Sequence, residues 1–200
     1  MATLEDWEED PVAEGTTDIS PTAFTDMTKQ IKKNRYGYFH FNRYNAVNAM
    51  GTKPTLGTAG TNTKIGTMSF ADGAVPIETF QPPRVPDEFK EDGDLVLEID
   101  MYSGTANNNV MFEYSIVGIA DGEGVDPVQV FVPLDAITLP SSTATLKRTT
   151  ITISGAAHGL ARGDLLYFAL KRNGTDGADN HAAAVLVTNC TIRYQLGEND

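Results

Sequence analysis

The chain has 200 residues, of which 40% are hydrophobic, and it carries a formal net charge of −12 and one cysteine. This length accommodates one ordinary domain with an appendage or two small domains, and a single thiol excludes an internal disulfide framework. The acidic balance disfavours neutralisation of nucleic-acid phosphates. No stretch approaches the roughly eighteen apolar residues of a membrane span, and the first ten residues lack the basic and apolar regions of a secretory signal.

The charges are distributed unevenly along the chain. Residues 1–28 contain eight acidic side chains and no basic one, whereas residues 29–64 contain seven basic side chains and no acidic one. Residues 65–200 contain nineteen acidic and eight basic side chains, a balance of −11. This segregation predicts an N-terminal arm, residues 1–64, attached to an acidic body, residues 65–200.

A short helix is expected within the arm, at about residues 21–33. Ser20 is a good N-cap, and Pro21 suits the first helical position. A narrow apolar stripe follows at helical spacing, formed by Phe24, Met27 and Ile31. Because so short a helix is not stable alone, we expect the stripe to lie on a partner surface. The acidic residues before the helix are typical of disorder, with Trp7 as a further candidate anchor.

The next stretch interleaves aromatic and basic residues. The candidate partner-binding residues here are Arg35, Tyr36, Tyr38, Phe39, Phe41, Arg43 and Tyr44. Tyrosine and arginine dominate protein–protein hot spots, which favours a docking arm. The same composition suits base stacking in single-stranded nucleic acid, but the rest of the chain offers no basic groove. Residues 45–63, rich in Gly, Ala, Asn and Thr, are expected to be a linker.

The body reads as a series of short β-strands. Apolar residues alternate or run continuously at residues 65–70, 77–80, 95–101, 110–116, 149–153, 165–170 and 186–194. Val128–Val132 is a further short apolar run, so we expect seven or eight strands. Almost no helical periodicity follows the predicted helix. The pattern predicts an all-β fold, a jelly-roll β-sandwich of about eight antiparallel strands.

The last two runs differ in their predicted exposure. Leu165–Leu170 is apolar on both parities, as expected of a central strand covered on both faces. In the final run Leu186, Cys190, Ile192 and Tyr194 share one parity, which predicts a single buried face. Cys190 is therefore expected to be a buried structural thiol rather than a nucleophile. The two runs are interpreted as the closing strands of the sandwich.

The chemistry-bearing residues form no catalytic motif. The three histidines show no metal-ligand spacing, and there is no nucleophile elbow, so neither a cofactor nor enzymatic activity is expected. Oxygen-rich side chains crowd the turn between the last two strands, and the candidate calcium ligands are Asp176, Asp179 and Asn180. Such turns also form without metal. Asp121, Glu123 and Asp126 form a similar, weaker candidate.

Several segments of the body resemble a known family. Ser69–Gly73, Pro86–Asp100, Gly163–Asp179 and the terminal Arg193–Tyr194 resemble a jelly-roll module of virion structural proteins in tailed phages. That family includes capsid decoration (cement) proteins and fibre or tail components. The resemblance covers roughly residues 65–195 and implies a symmetric, often trimeric, β-sandwich on a particle surface. It has no counterpart of the arm, which is expected to determine attachment.

The resemblance implies a non-enzymatic virion structural protein. We expect a decoration protein on the outer capsid surface, with the major capsid protein and copies of itself as partners, and with neither nucleic acid nor membrane bound. It would bind through its arm and stabilise the shell. The alternative is a tail or fibre receptor-binding protein that contacts host glycans. Tyr102 and Tyr167 are the candidate sugar platforms for that alternative.

Overall fold

The structure is a computed structural model, and it describes residues 35–41, 46–48, 55–59, 65–72, 77–80, 83–105, 108–142 and 144–197. The helix predicted at residues 21–33 lies outside the described residues. Within them, the helix that forms is the four-residue α1, Gly155–His158. No helix of the described part is long and apolar enough to cross a membrane.

The described residues form thirteen strands. In chain order they are β1 Tyr36–Phe41, β2 Ala46–Asn48, β3 Thr55–Ala59, β4 Ile65–Phe70, β5 Ile77–Phe80, β6 Leu95–Ser103, β7 Asn109–Val110, β8 Phe112–Ile119, β9 Val132–Pro133, β10 Ile137–Thr138, β11 Lys147–Ile153, β12 Leu165–Arg172 and β13 Val185–Gln195.

Two antiparallel sheets contain most of these strands. The six-stranded sheet has the order β11-β6-β13-β4-β3, with β1 also paired to β13, and the five-stranded sheet has the order β2-β5-β12-β8-β9. From β4 onward the principal strands alternate between the sheets, except for β8 and β9, which are neighbours in the same sheet, so that β4-β13-β6-β11 faces β5-β12-β8-β9. Two four-stranded sheets linked in this way are a jelly roll. The predicted all-β jelly-roll β-sandwich is confirmed.

Three strands come from the segment that the sequence assigned to the arm and its linker. β1 pairs with Cys190–Gln195 of β13, β3 pairs with β4, and β2 pairs with β5. β1 can pair with β13 because β13 is longer than β4, its other neighbour on that edge. β4 covers only Val185–Val187 of one edge of β13, and β1 pairs the remainder of that edge. Residues 36–59 therefore belong to the sandwich wherever the structure describes them.

The core between the sheets is largely aromatic where β1 enters it. Phe41 is fully buried, and its ring centroid lies 4.6 Å from that of Phe168 and 5.4 Å from that of Phe80. Phe39 stacks on Tyr194, with the centroids 4.6 Å apart. Phe80 and Phe168 belong to the opposite sheet, so β1 supplies core residues that join the two layers.

An irregularity in β13 changes which residues face the core. The register with β6 shifts between Val187 and Asn189, as at a β-bulge. Before the shift Val185 and Val187 are buried, and after it the buried residues are Cys190, Ile192 and Tyr194. One extra residue moves the buried set to the other parity. The predicted burial is confirmed for the last three, whereas it is wrong for Leu186, which is only half-buried.

The two closing strands lie in different sheets. β12 lies between β5 and β8, which confirms its predicted central position. β13 lies in the six-stranded sheet between β6 and the pair β4 and β1. Residues 173–184 therefore cross from one sheet to the other and are not a hairpin turn.

Candidate binding surfaces

The outer side of β1 carries an exposed aromatic surface, which we call the tyrosine face. Its members are Tyr36, Tyr38 and His40 from β1, with Thr191 and Arg193 from β13. Tyr36 is 38% exposed and Tyr38 is 51% exposed, whereas Phe39 and Phe41, on the other parity of β1, are buried. The alternation follows from the strand period of two. Because the buried phenylalanines fix β1, the tyrosines are presented on a rigid strand.

The rings of the tyrosine face are partly occupied by neighbouring groups. The Arg193 guanidinium lies over the Tyr36 ring, 4.6 Å from its centroid, a cation–π contact. Tyr38 and His40 stack with their centroids 6.1 Å apart. Thr191 Oγ1 lies 3.4 Å from His40 Nδ1 and accepts a hydrogen bond of 2.8 Å from the Asn189 amide. The face therefore offers ring edges and hydroxyl groups more than open ring faces.

Beyond β13 the same side of the sheet carries an ion pair. Arg148 on β11 donates from Nε to Asp100 Oδ1 at 2.7 Å and from Nη2 to Asp100 Oδ2 at 3.0 Å. Its Nε also lies 4.0 Å from Glu98 Oε2. The hydrogen bond to Asp100, followed by the charge of that carboxylate, raises the pKa of Arg148. Asp100 therefore neutralises Arg148, and Glu98 leaves the three side chains with one net negative charge.

A second surface lies at one edge of the sandwich, where β9 and β11 are the outer strands of the two sheets. A cleft of about 690 Å³ opens there, which we call the edge cleft. Residues 132–138 form one wall, and Lys147, Thr149 and Ile151 line the other. Tyr114 contributes to the lining but is buried. The edge cleft therefore lacks an exposed aromatic platform.

An exposed apolar segment leads into the edge cleft. Val128, Val130 and Val132 are 86%, 70% and 43% exposed, and we call them the valine ridge. Phe131 is half-buried under the Lys171 ammonium, which lies 4.5 Å from its ring centroid and pairs with Glu113. Sequence analysis missed this surface, because an alternating run of valines reads as a buried strand. Only its end, Val132–Pro133, forms a strand.

A buried cluster around Arg172 anchors the crossing between the sheets. Its guanidinium donates from Nε and Nη2 to the two carboxylate oxygens of Asp179, at 3.0 and 2.9 Å, and neither side chain is exposed. Further bonds run to Asp72 at 3.3 Å and to the carbonyls of Phe70 and Ala183. The cluster joins the ends of β4 and β12 to the crossing.

The same contacts determine the protonation of Asp179. Burial alone would raise its pKa, but the bond from Arg172 and the backbone N–H groups of Met111 and His181 hold the pKa below its usual value. Asp179 is therefore a saturated anion whose oxygens already accept four hydrogen bonds.

The candidate calcium ligands Asp176, Asp179 and Asn180 are engaged in hydrogen bonds within the protein. Asp176 accepts a hydrogen bond from the N–H of Ala178 at 2.8 Å, and Asn180 Oδ1 accepts one from the N–H of Asn109 at 2.7 Å. With Asp179 paired to Arg172, the three side chains satisfy the protein's own donors. No cluster of three or more His, Cys, Asp or Glu side chains suited to a metal ion occurs in the described ranges.

Ser103 and His181 form a buried pair that superficially suggests nucleophilic catalysis. Ser103 Oγ lies 2.7 Å from His181 Nε2 and 3.1 Å from the carbonyl of Ala184. Both side chains are buried, Ser103 being 4% and His181 0% exposed, so the hydroxyl is not accessible to a substrate. Burial and the nearby Arg172 charge also lower the pKa of His181. The pair is structural.

The remaining predicted residues fall into four groups. Phe39 and Phe41 lie in the core, which corrects their assignment to a partner surface; as the inward side of an amphipathic strand they pack against Tyr194 and Phe168. Arg35 is exposed, while Tyr102 and Tyr167 are half-buried.

Cys190 is fully buried, and burial raises the pKa of its thiol. The residues that lie outside the described part of the chain are Trp7, Phe24, Met27, Ile31, Arg43 and Tyr44.

Comparison with known proteins gives no family. No family model and no curated protein matches the chain. Among solved structures it is similar to the C-terminal CBM6 of LamC, a marine laminarinase from Zobellia galactanivorans, with 8% identity, a TM-score of 0.44 and coverage of 78% of this chain and 98% of that one. A family 11 carbohydrate-binding module from Clostridium thermocellum has 15% identity, a TM-score of 0.40 and coverage of 82% and 92%. The structure of infectious bursal disease virus, Gx strain, has 10% identity, a TM-score of 0.39 and coverage of 84% and 35%.

Proposed function

We propose that the protein is a non-enzymatic virion structural protein, a decoration protein that binds the outer surface of a capsid through its tyrosine face and the chain that precedes β1. The major capsid protein would be its partner. The proposal joins the family resemblance of the sequence to an exposed aromatic surface. The attachment surface differs from the one expected from the sequence, because Phe39 and Phe41 are buried in the core and cannot contact a partner.

The observation that carries the proposal is the presentation of Tyr36 and Tyr38 on a rigid strand. Both rings stand out from β1 while Phe39 and Phe41 fix that strand in the sandwich. Tyrosines held this way contribute contact area at low entropic cost, and Tyr with Arg dominates interface hot spots. Arg193, stacked on Tyr36, adds the second residue type.

The occupied ring faces favour a protein partner over a glycan. Sugars bind by lying on open aromatic faces, but Arg193 covers the Tyr36 ring and His40 stacks against the Tyr38 ring. The tyrosine hydroxyls and ring edges remain available for a protein surface.

The mechanism would be thermodynamic. A protein that binds the assembled lattice and not its free subunits stabilises the lattice by mass action. Many copies on one shell multiply the effect, because each occupied site opposes dissociation of the subunits beneath it.

The proposal is tested by measuring how tightly the purified protein binds to capsid shells assembled without it. Tyr36→Ala with Tyr38→Ala should weaken binding by about thirtyfold or more, because truncation of a hot-spot residue costs about 2 kcal/mol. Val125→Ala is the matched control, since Val125 is 81% exposed and lies between β8 and β9 of the other sheet. Co-sedimentation with shells measures all three proteins. Unchanged binding of the double variant would refute the tyrosine face as the attachment site.

A truncation separates the chain before β1 from the face itself. Removing residues 1–34 retains β1, whereas removing residues 1–44 also deletes a core strand. We expect the shorter truncation to fold and to bind shells more weakly than the full chain. Thermal unfolding establishes that the truncated body is folded.

Glycan binding is the second candidate, because Tyr38 is the most exposed aromatic side chain of the described residues. A glycan array would decide between the two roles. Saturable binding that is lost in Tyr38→Ala would favour the receptor-binding alternative.

A further inference from the structure

The two sides of the edge cleft both carry exposed apolar side chains. One side has the valine ridge, Val128, Val130 and Val132, and the other begins with Leu146, which is 56% exposed and directly precedes β11. These four are half of the eight large apolar side chains that are exposed in the described part of the chain. Such clustering on one side of a protein indicates an interaction surface.

The two sides differ in charge. Residues 120–146 contain Asp121, Glu123, Asp126 and Asp135 and no basic residue. Across the edge cleft stands Lys147, for which no ion pair occurs among the described residues. The valine side is thus apolar and acidic, whereas the leucine side is apolar and basic.

Strand addition does not explain this surface. Pro127 and Pro133 bracket the valine ridge, and neither has a backbone N–H to donate to an added strand. Prolines at an edge are a common protection against backbone pairing. Any partner therefore meets the valine ridge through side chains.

We propose that the edge cleft binds a second copy of this chain around a two-fold axis. The valine ridge of each copy would seat on Leu146 and Lys147 of the other, so that the acids beside each ridge meet the partner's lysine. Because both sides lie on one face, a single two-fold rotation satisfies both contacts at once and closes the assembly. This goes beyond the proposed function and uses a surface separate from the tyrosine face. It also differs from the trimer that the family resemblance implies.

The first experiment measures the oligomeric state of the full chain. Sedimentation equilibrium up to about 100 μM detects complexes of micromolar affinity, and we expect a dimer. Val130→Asp should weaken association by about tenfold or more, because it places a charge in the apolar contact. Ile65→Asp is the control: Ile65 is also exposed and apolar, but it lies on β4. Thermal unfolding confirms that each variant is folded.

A charge exchange tests the predicted geometry. Lys147→Glu should weaken the dimer, because each interface then brings acids against a glutamate. Asp126→Lys combined with Asp135→Lys should weaken it equally, because lysines then oppose Lys147. An equimolar mixture of the two variants should restore association, since a mixed dimer contains one reversed and one original pair of opposite charges.

Each result supports or overturns the inference. A dimer that Val130→Asp dissociates and that the charge mixture restores would support it. A monomer throughout the concentration range, a trimer, or a dimer unaffected by Val130→Asp would overturn it. None of these results depends on capsid binding, so failure here leaves the proposed function to its own test.

Discussion

Two short segments with alternating apolar residues differ in the burial of those residues. β1, Tyr36–Phe41, inserts Phe39 and Phe41 into the core, whereas the segment Val128–Val132 turns its valines to solvent. Sequence analysis assigned them the other way, the first to a partner and the second to the sandwich. The difference is the availability of a strand to pair with. β13 offers β1 an unpaired edge, while Pro127 and Pro133 limit pairing beside the valines.

The largest expected effect separates the two faces of β1. Phe41→Ala should lower the free energy of unfolding by about 3–5 kcal/mol, because it leaves a cavity between Phe80 and Phe168. Tyr38→Ala, on the exposed side of the same strand, should cost less than about 1 kcal/mol. Denaturant unfolding measures both. Equal effects would contradict the burial assigned to β1.

Acid titration distinguishes buried from exposed acids. The pKa of Asp179 is below its usual value in the folded protein, so its stabilising effect is complete above the unfolded value of about 3.9 and is lost as pH falls through the folded value. Asp179→Asn should cost about 3–5 kcal/mol near neutral pH, because Arg172 remains buried and poorly paired. It should also reduce the loss of stability below about pH 4.

The matched variant is Asp126→Asn, on the exposed segment beside the valine ridge. Near neutral pH its unfolding free energy should lie within about 0.5 kcal/mol of that of the unchanged protein, because the side chain is exposed. If the two variants lose stability equally, the buried pairing assigned to Asp179 is wrong.

Two glycines provide a test of intermediate size. A Cβ on Gly37 would overlap the Tyr194 ring, which is held by Phe39 and Phe89, whereas a Cβ on Gly124 meets nothing within 4 Å. Gly37→Ala should therefore destabilise the fold by about 1–3 kcal/mol through overpacking. Gly124→Ala should be close to neutral. Thermal unfolding of the pair compares β1 with the exposed segment directly.

The smallest effect is expected at the valine ridge. Val130→Thr retains the shape of the side chain at a position that is 70% exposed, so unfolding of the dilute protein should change by less than about 0.5 kcal/mol. A large loss of stability at low concentration would show that the valine supports the fold of a single chain.

Much of the sandwich was predictable because, in most strands, the local alternation of residue types indicates which face is buried. Leu95, Leu97, Ile99 and Met101 recur at every second position, and all four are buried. The burial predicted for β13 is correct after its bulge and wrong before it, because one added residue reverses the exposure of Leu186 and Val187. No local pattern marks such an insertion.

The candidate surfaces were harder to predict. Tyr36 and Tyr38 are exposed, but their neighbours Phe39 and Phe41 were not separable from them by composition. The Asp179 carboxylate read as a metal ligand because its partner, Arg172, is brought to it by the crossing between the sheets. The sequence shows residue types, whereas hydrogen-bond saturation depends on the folded neighbours.

The sequence by itself determined the fold class, since strand periodicity and turn residues are local properties that survive in any context. Only the tertiary structure decided which apolar segments are covered, because burial depends on whether a neighbouring strand has an unpaired edge. For this reason β1 buries its phenylalanines and exposes its tyrosines, whereas the valine ridge remains exposed at the edge cleft.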